Sequence, residues 1–148
     1  MIETNMAKTN IEGGCLCGAV RYKATAAPMT VRACWCRVCQ YFACGNASIG
    51  LAFPRQAVTI TGETRDYPST ADSGSHMHRR FCPTCGVHLF SEAEERPQTI
   101  FVRAGTLDDP RIAVPQANIW TASAPAWAHL DPGLPHFERQ PPPPRPAK

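Results

Sequence analysis

Seven of the eight cysteines in this 148-residue chain fall into three tight groups: Cys15-Leu16-Cys17, Cys34-Trp35-Cys36-Arg37-Val38-Cys39 and Cys82-Pro83-Thr84-Cys85-Gly86. C-P-x-C-G is a knuckle turn that folds back so that both sulfurs face one metal, with Gly86 free to take the positive φ that follows. A knuckle supplies two ligands, and a closed tetrahedral zinc site needs four. Cys15 and Cys17 are the natural second pair, and Gly13, Gly14 and Gly18 around them let the backbone wrap closely about a metal. Four thiolates leave zinc no open position, so such a site is structural.

Cys34, Cys36 and Cys39 remain, close enough in sequence to converge unaided. Zinc held by three protein ligands keeps a fourth position for water or substrate, the arrangement of catalytic sites. Sulfur is a soft donor that zinc accepts readily, so a small thiol is the first candidate for that position. The competing reading is two closed four-cysteine sites, with Cys44 as the eighth ligand. Disulfides fit poorly with the C-x-C units and with a reducing compartment. A thioredoxin-like pair at Cys82 and Cys85 lacks the long helix that should follow.

The elements that must carry these groups read as short strands. Ala19 to Thr25, Val58 to Thr61 and Thr99 to Ala104 are the clearest, and Asn46 to Phe53 and His88 to Ser91 are weaker. Glycine and proline interrupt the chain often, and no window has a sustained 3.6-residue period, so any helix should be short. The expectation is one mainly-β domain over residues 11–139, between a flexible N-terminus (1–10) and a Pro-rich disordered tail (140–148). Gly74-Ser-His-Met77 resembles a tag scar but lies inside the domain, immediately before the knuckle, and reads as native sequence.

Composition narrows the function. The formal charge of +3 counts every cysteine as neutral; seven thiolates on two divalent ions would cancel it. The arginines are scattered along the chain rather than blocked together, which argues against a nucleic-acid partner. No apolar run is long enough for a membrane helix and the N-terminus lacks a signal-peptide plan, so a cytoplasmic protein is expected.

Glu12-Gly-Gly-Cys-Leu-Cys-Gly-Ala-Val-Arg-Tyr22, the C-x-C-x-x-C group and Arg80-Phe-Cys-Pro-Thr-Cys-Gly86 with Leu89-Phe90 closely resemble the glutathione-dependent formaldehyde-activating (GFA) family, which includes the domain of centromere protein V. Trp120 to Trp127 and Leu134 to Phe137 resemble its C-terminal segments. The resemblance implies an Mss4-like fold of short antiparallel strands organised around two zinc sites. It implies structural ligands Cys15, Cys17, Cys82 and Cys85, and a second zinc on Cys34, Cys36 and Cys39. That second site, one ligand short, should bind more weakly and be only partly filled.

The activity implied is that of a carbon–sulfur lyase joining formaldehyde to a small thiol, glutathione, as S-(hydroxymethyl)glutathione. Arg37 and Trp35 are the expected substrate contacts, and His76, His78 and His88 the histidines to consider as proton donor. Two positions depart from the family: Trp35 where histidine is common, and Cys44 where serine or threonine is common. Cys44 is expected in the wall of the site in place of a hydroxyl. The alternative function is a non-catalytic zinc module that binds a thiol metabolite or a protein partner, with Trp35, Tyr41, Phe42, Trp120 and Trp127 available to line a surface.

Overall fold

The computed structural model describes residues 10–142. Short strands form two sheets. A three-stranded antiparallel sheet has the order β1 (Ile11–Gly14), β2 (Arg21–Ala24), β5 (Val58–Thr61). An eight-stranded sheet contains β3 (Thr30–Cys34), β4 (Ser48–Pro54), β6 (Arg65–Thr70), β7 (His76–Phe81), β8 (His88–Ala93), β9 (Thr99–Arg103), β10 (Ala117–Ile119) and β11 (His136–Phe137). Its order is β11-β10-β3-β4-β9-β8-β7-β6. The sheet is mixed rather than purely antiparallel, because β10 runs parallel to both β3 and β11. One six-residue α-helix, α1 (Arg37–Phe42), follows β3, in keeping with the missing helical periodicity.

Alternation along the central strands gives the large sheet two unlike faces. Directly paired residues of antiparallel strands point to the same side. Val31, Leu51, Val102 and Phe90 therefore share one face, through the pairs Val31↔Leu51, Leu51↔Val102 and Phe90↔Val102. They enter one core with Val20, Tyr22, Ala24 and Val58, on and beside the small sheet. Full burial of such a side chain stabilises by roughly 1.5–3 kcal/mol. The opposite face carries Arg32, Gly50 and Arg103 in one row, from Arg32↔Gly50 and Gly50↔Arg103. A second row runs Ala52, Phe101, Ser91, Arg79. This second face builds the functional site.

Among the described residues β1, β3, β6, β7, β10 and β11 do not read as strands in the sequence, and for β6 and β7 the physical reason is plain. β6 contains Pro68 and is almost wholly exposed, which an edge strand tolerates because one side of its backbone needs no partner. Its neighbour β7, His-Met-His-Arg-Arg-Phe, has ion-paired rather than apolar exposed positions.

The ordered chain passes the boundary expected at residue 139. Trp120 Nε1 donates to Gln140 Oε1 at 2.9 Å, and Pro141 is buried. Arg139 also lies over the Trp120 ring, 5.8 Å from its centroid. Residues 1–9 and 143–148, the rest of the expected flexible ends, lie outside the described residues.

Candidate functional site

The four sulfurs of Cys15, Cys17, Cys82 and Cys85 lie within 4.8 Å of one another. Four sulfurs about 2.3 Å from a tetrahedral centre stand about 3.8 Å apart. Cys15 and Cys17 Sγ are 3.7 Å apart and Cys17 and Cys82 Sγ 3.8 Å, so the group fits a closed zinc site. Two tight turns make it. In the β1–β2 turn, Gly18 has φ +83° and Cys15 N donates to Val20 O. In the β7–β8 turn, Gly86 has φ +78° and its N–H donates to Cys82 O.

Backbone N–H groups aim at the sulfurs: Val20 at Cys15 (3.2 Å), and Thr84 and Cys85 at Cys82 (3.3 and 3.4 Å). The backbone of Cys17, then that of Val87, hydrogen-bonds the Cys85 thiol and holds its pKa down to about 6. Such donors favour the thiolate that a metal requires.

Gly13 serves sheet packing, whereas Gly14 permits the close turn about Cys15 that its position suggested. A Cβ on Gly13 would stand 2.3 Å from Thr106 O and from the Tyr22 hydroxyl, and one on Gly14 2.4 Å from Val20 O. The absent side chain of Gly13 makes room for Tyr22 of β2, and that of Gly14 for the turn whose Val20 O accepts from Cys15 N.

Cys34, Cys36 and Cys39 form the second cluster, again with sulfurs within 4.8 Å. Cys34 ends β3, Cys36 caps α1 by accepting from Cys39 N at 3.3 Å, and Cys39 lies in the first turn. Hydrogen bonds from the Cys34 and Cys36 thiols hold Cys39 down to about 3, with the charges of Arg103 and Arg79 adding to the pull. The same contacts raise Cys34. The cluster thus shares negative charge in the absence of metal, and three convergent soft donors fit one zinc ion.

The three cysteines form one wall of a cavity of about 180 Å³. Around it stand the guanidinium-bearing Arg32, Arg79, Arg96 and Arg103, with Phe101 and Trp120 among the apolar lining. Arg103 donates to Ser48 Oγ at 2.9 Å and to Ser91 Oγ. Arg79, only 4% exposed, donates to Ser69 Oγ at 2.7 Å and lies over the Phe42 ring. Arginines scattered in the sequence thus meet at one place.

The model of the glutathione-dependent formaldehyde-activating enzyme family matches residues 10–123. The chain belongs to that family. A Halomonas elongata protein that carries the provisional name glutathione-dependent formaldehyde-activating enzyme is 25% identical over 127 residues, 82% of this chain and 81% of that one. A crystal structure of a Rhodobacter sphaeroides protein superposes with a TM-score of 0.53 at 20% identity, over 68% of this chain and 92% of that chain. The mainly-β, two-cluster architecture is the Mss4-like arrangement of the GFA family.

Several expected site residues lie elsewhere. Trp35, the residue after β3, is buried, its backbone N–H donating to Ile119 O at 2.9 Å, and it does not line the cavity. Arg37 is on the exposed side of α1, bonded to Gln40 Oε1 and lying over Tyr41. Cys44 is exposed just beyond α1 with φ +58° and belongs neither to the cluster nor to the cavity wall.

The histidines are engaged as well. His76 pairs with Glu95, and His78 bridges Asp66 and Glu94. Burial, with Arg103 and Arg79 nearby, pushes His88 down to about 3. Among the described residues, no helix is long and apolar enough to cross a membrane.

Proposed function

We propose that this GFA-family chain is a zinc-dependent, carbon–sulfur lyase-type enzyme joining a small thiol such as glutathione to formaldehyde. The observation that carries this reading is a cavity opening directly onto three convergent cysteine sulfurs and walled by four arginines. Cys15, Cys17, Cys82 and Cys85 are assigned to structural zinc, and Cys34, Cys36 and Cys39 to the second, functional one. Zinc on that second cluster would supply one thing, a lowered thiol pKa at its open position.

The protein's own groups account for the rest. Arg79 and Arg103 offset the negative charge of the cysteine sulfurs, as their effect on Cys39 indicates. Addition forms the S–C bond while the carbonyl π pair moves to oxygen. Guanidinium N–H groups from the same wall can stabilise that oxygen as charge develops. Phe101, Met77, Ile119 and Trp120 restrict water around the reacting atoms. The proton lost by the thiol is returned to the new hydroxyl through solvent, because His76 and His78 are held in outer ion pairs and His88 is neutral.

The test is exchange spectroscopy on glutathione–formaldehyde mixtures. The zinc-loaded protein should accelerate exchange between free and hydroxymethylated thiol, and Cys36→Ser should abolish the acceleration. Equal exchange with and without substantial protein overturns the reading.

A further inference from the structure

The four cavity arginines differ from most others in how they are neutralised. Arg21 pairs with Asp108, Arg55 and Arg80 with Glu92, and Arg111 with Asp109. Arg32, Arg79, Arg96 and Arg103 have no carboxylate partner among the described residues, although they share one cavity. Concentrating positive charge in a partly desolvated space is costly unless anions join it. The cysteine cluster accounts for two of the four. Arg79 and Arg103 bear electrostatically on Cys39, and both are fixed by serine hydroxyls.

Arg32 and Arg96 are left. Arg32 has no hydrogen-bond or ion-pair partner among the described residues, and Arg96 has only a 3.4 Å contact from its guanidinium to Ser75 Oγ. Arg32 is placed by β3, two residues before Cys34 and on the same face, so it borders the metal-binding sulfurs. Arg96 comes from the turn after β8, and Asp72 and Ser73 of the β6–β7 turn line the same cavity. Gly50 lies between Arg32 and Arg103 in the sheet row, and its missing side chain lets the Arg103 guanidinium lie over it, 3.1 Å from where a Cβ would stand.

We propose that Arg32 and Arg96 bind the carboxylates of the thiol substrate, making the cavity selective for a thiol that carries two carboxylate groups. Asp72, the acidic residue of the wall, matches an ammonium on the same molecule. Recognition rests on the proposed thiol chemistry for the orientation of the sulfur toward Cys34, Cys36 and Cys39, while the carboxylate contacts are independent of turnover. Arg37, outside the cavity, takes no part.

Binding to the zinc-loaded protein, followed by calorimetry and NMR, separates the two ideas. The probes are S-methylglutathione, which keeps both carboxylates but has no free thiol, and cysteamine, a thiol without carboxylates. S-Methylglutathione should bind wild type and weaken about tenfold or more in Arg32→Gln and in Arg96→Gln, the size expected for loss of a charged hydrogen bond. Cysteamine binding should not change. Arg32→Lys, which keeps the charge but not the fork, should retain part of the affinity.

Equal S-methylglutathione affinity in wild type and the double Gln variant, or no binding to wild type, overturns the proposal. So does turnover of cysteamine as efficient as that of glutathione, a result that leaves the lyase reading standing. Arginine-dependent binding without any catalysis of exchange supports the carboxylate site and removes the lyase reading.

Discussion

At the scale of single residues, sulfur geometry separates eight similar cysteines. Cys36 is both a member of the open cluster and the residue that caps α1. Serine can replace the cap because its hydroxyl accepts the same N–H, but it cannot replace a thiolate toward zinc. Cys36→Ser is expected to lose one zinc per chain by elemental analysis while keeping its circular dichroism. Cys44→Ser should keep both metals, because Cys44 follows the helix end in a left-handed conformation, exposed and outside both clusters. The clusters were legible in sequence because C-x-C and C-P-x-C-G place ligand and turn within a few residues. Cys44 was misplaced because a short gap after Cys39 could not reveal that the chain reverses there through positive φ at Cys44 and Gly45.

At the scale of elements, what sequence could not show is register. Arg32 lies among Thr, Val and Ala, and Arg103 ends a strand of Ile, Phe and Val, so each reads as the solvent side of an alternating strand. Only the pairing of both with Gly50 brings them to one cavity. The same packing holds His88, at the start of β8, against Phe42 of α1 with ring centroids 4.6 Å apart. His88 has a folded-state pKa near 3, against an ordinary value of about 6.5.

Between those values the unfolded chain binds a proton that the folded one refuses, so stability falls as pH drops below about 6.5. From pH 7 to 5 the loss is about 2 kcal/mol. Replacing the imidazole by a ring that cannot titrate, His88→Phe, keeps an aromatic ring packed against Phe42. Denaturant titrations at pH 7 and pH 5 should then show a smaller acid loss in the variant. His76 and His78, whose pKa values are raised by Glu95 and by Asp66 with Glu94, act in the opposite sense. They are common to both proteins and leave the difference to His88. Equal acid sensitivity would mean that His88 is not held neutral by the fold.

At the scale of the molecule, the two clusters have different positions relative to the sheets. The closed cluster joins the β1–β2 turn of the small sheet to the β7–β8 turn of the large one, bridging 65 residues between Cys17 and Cys82. The open cluster is local, contained in β3 and α1. Structural zinc binding is worth about 10–16 kcal/mol in small zinc domains, as much as the 5–15 kcal/mol net stability of an ordinary domain. With zinc held there as proposed, removing a ligand from the closed cluster would remove a cross-link between sheets together with free energy comparable to folding itself. Cys82 is wholly buried, so a serine there also leaves a hydroxyl in an apolar core, a further cost of roughly 1–3 kcal/mol. Cys82→Ser should lose the dispersed amide spectrum of a folded protein and aggregate, whereas Cys36→Ser should retain it with one zinc missing. A Cys82→Ser protein that melts cooperatively near the wild-type temperature would show that the apolar face shared by Val31, Leu51, Phe90 and Val102 holds the sheets together without the metal. Equal unfolding of both variants would show that the local cluster is as necessary to the fold as the bridging one.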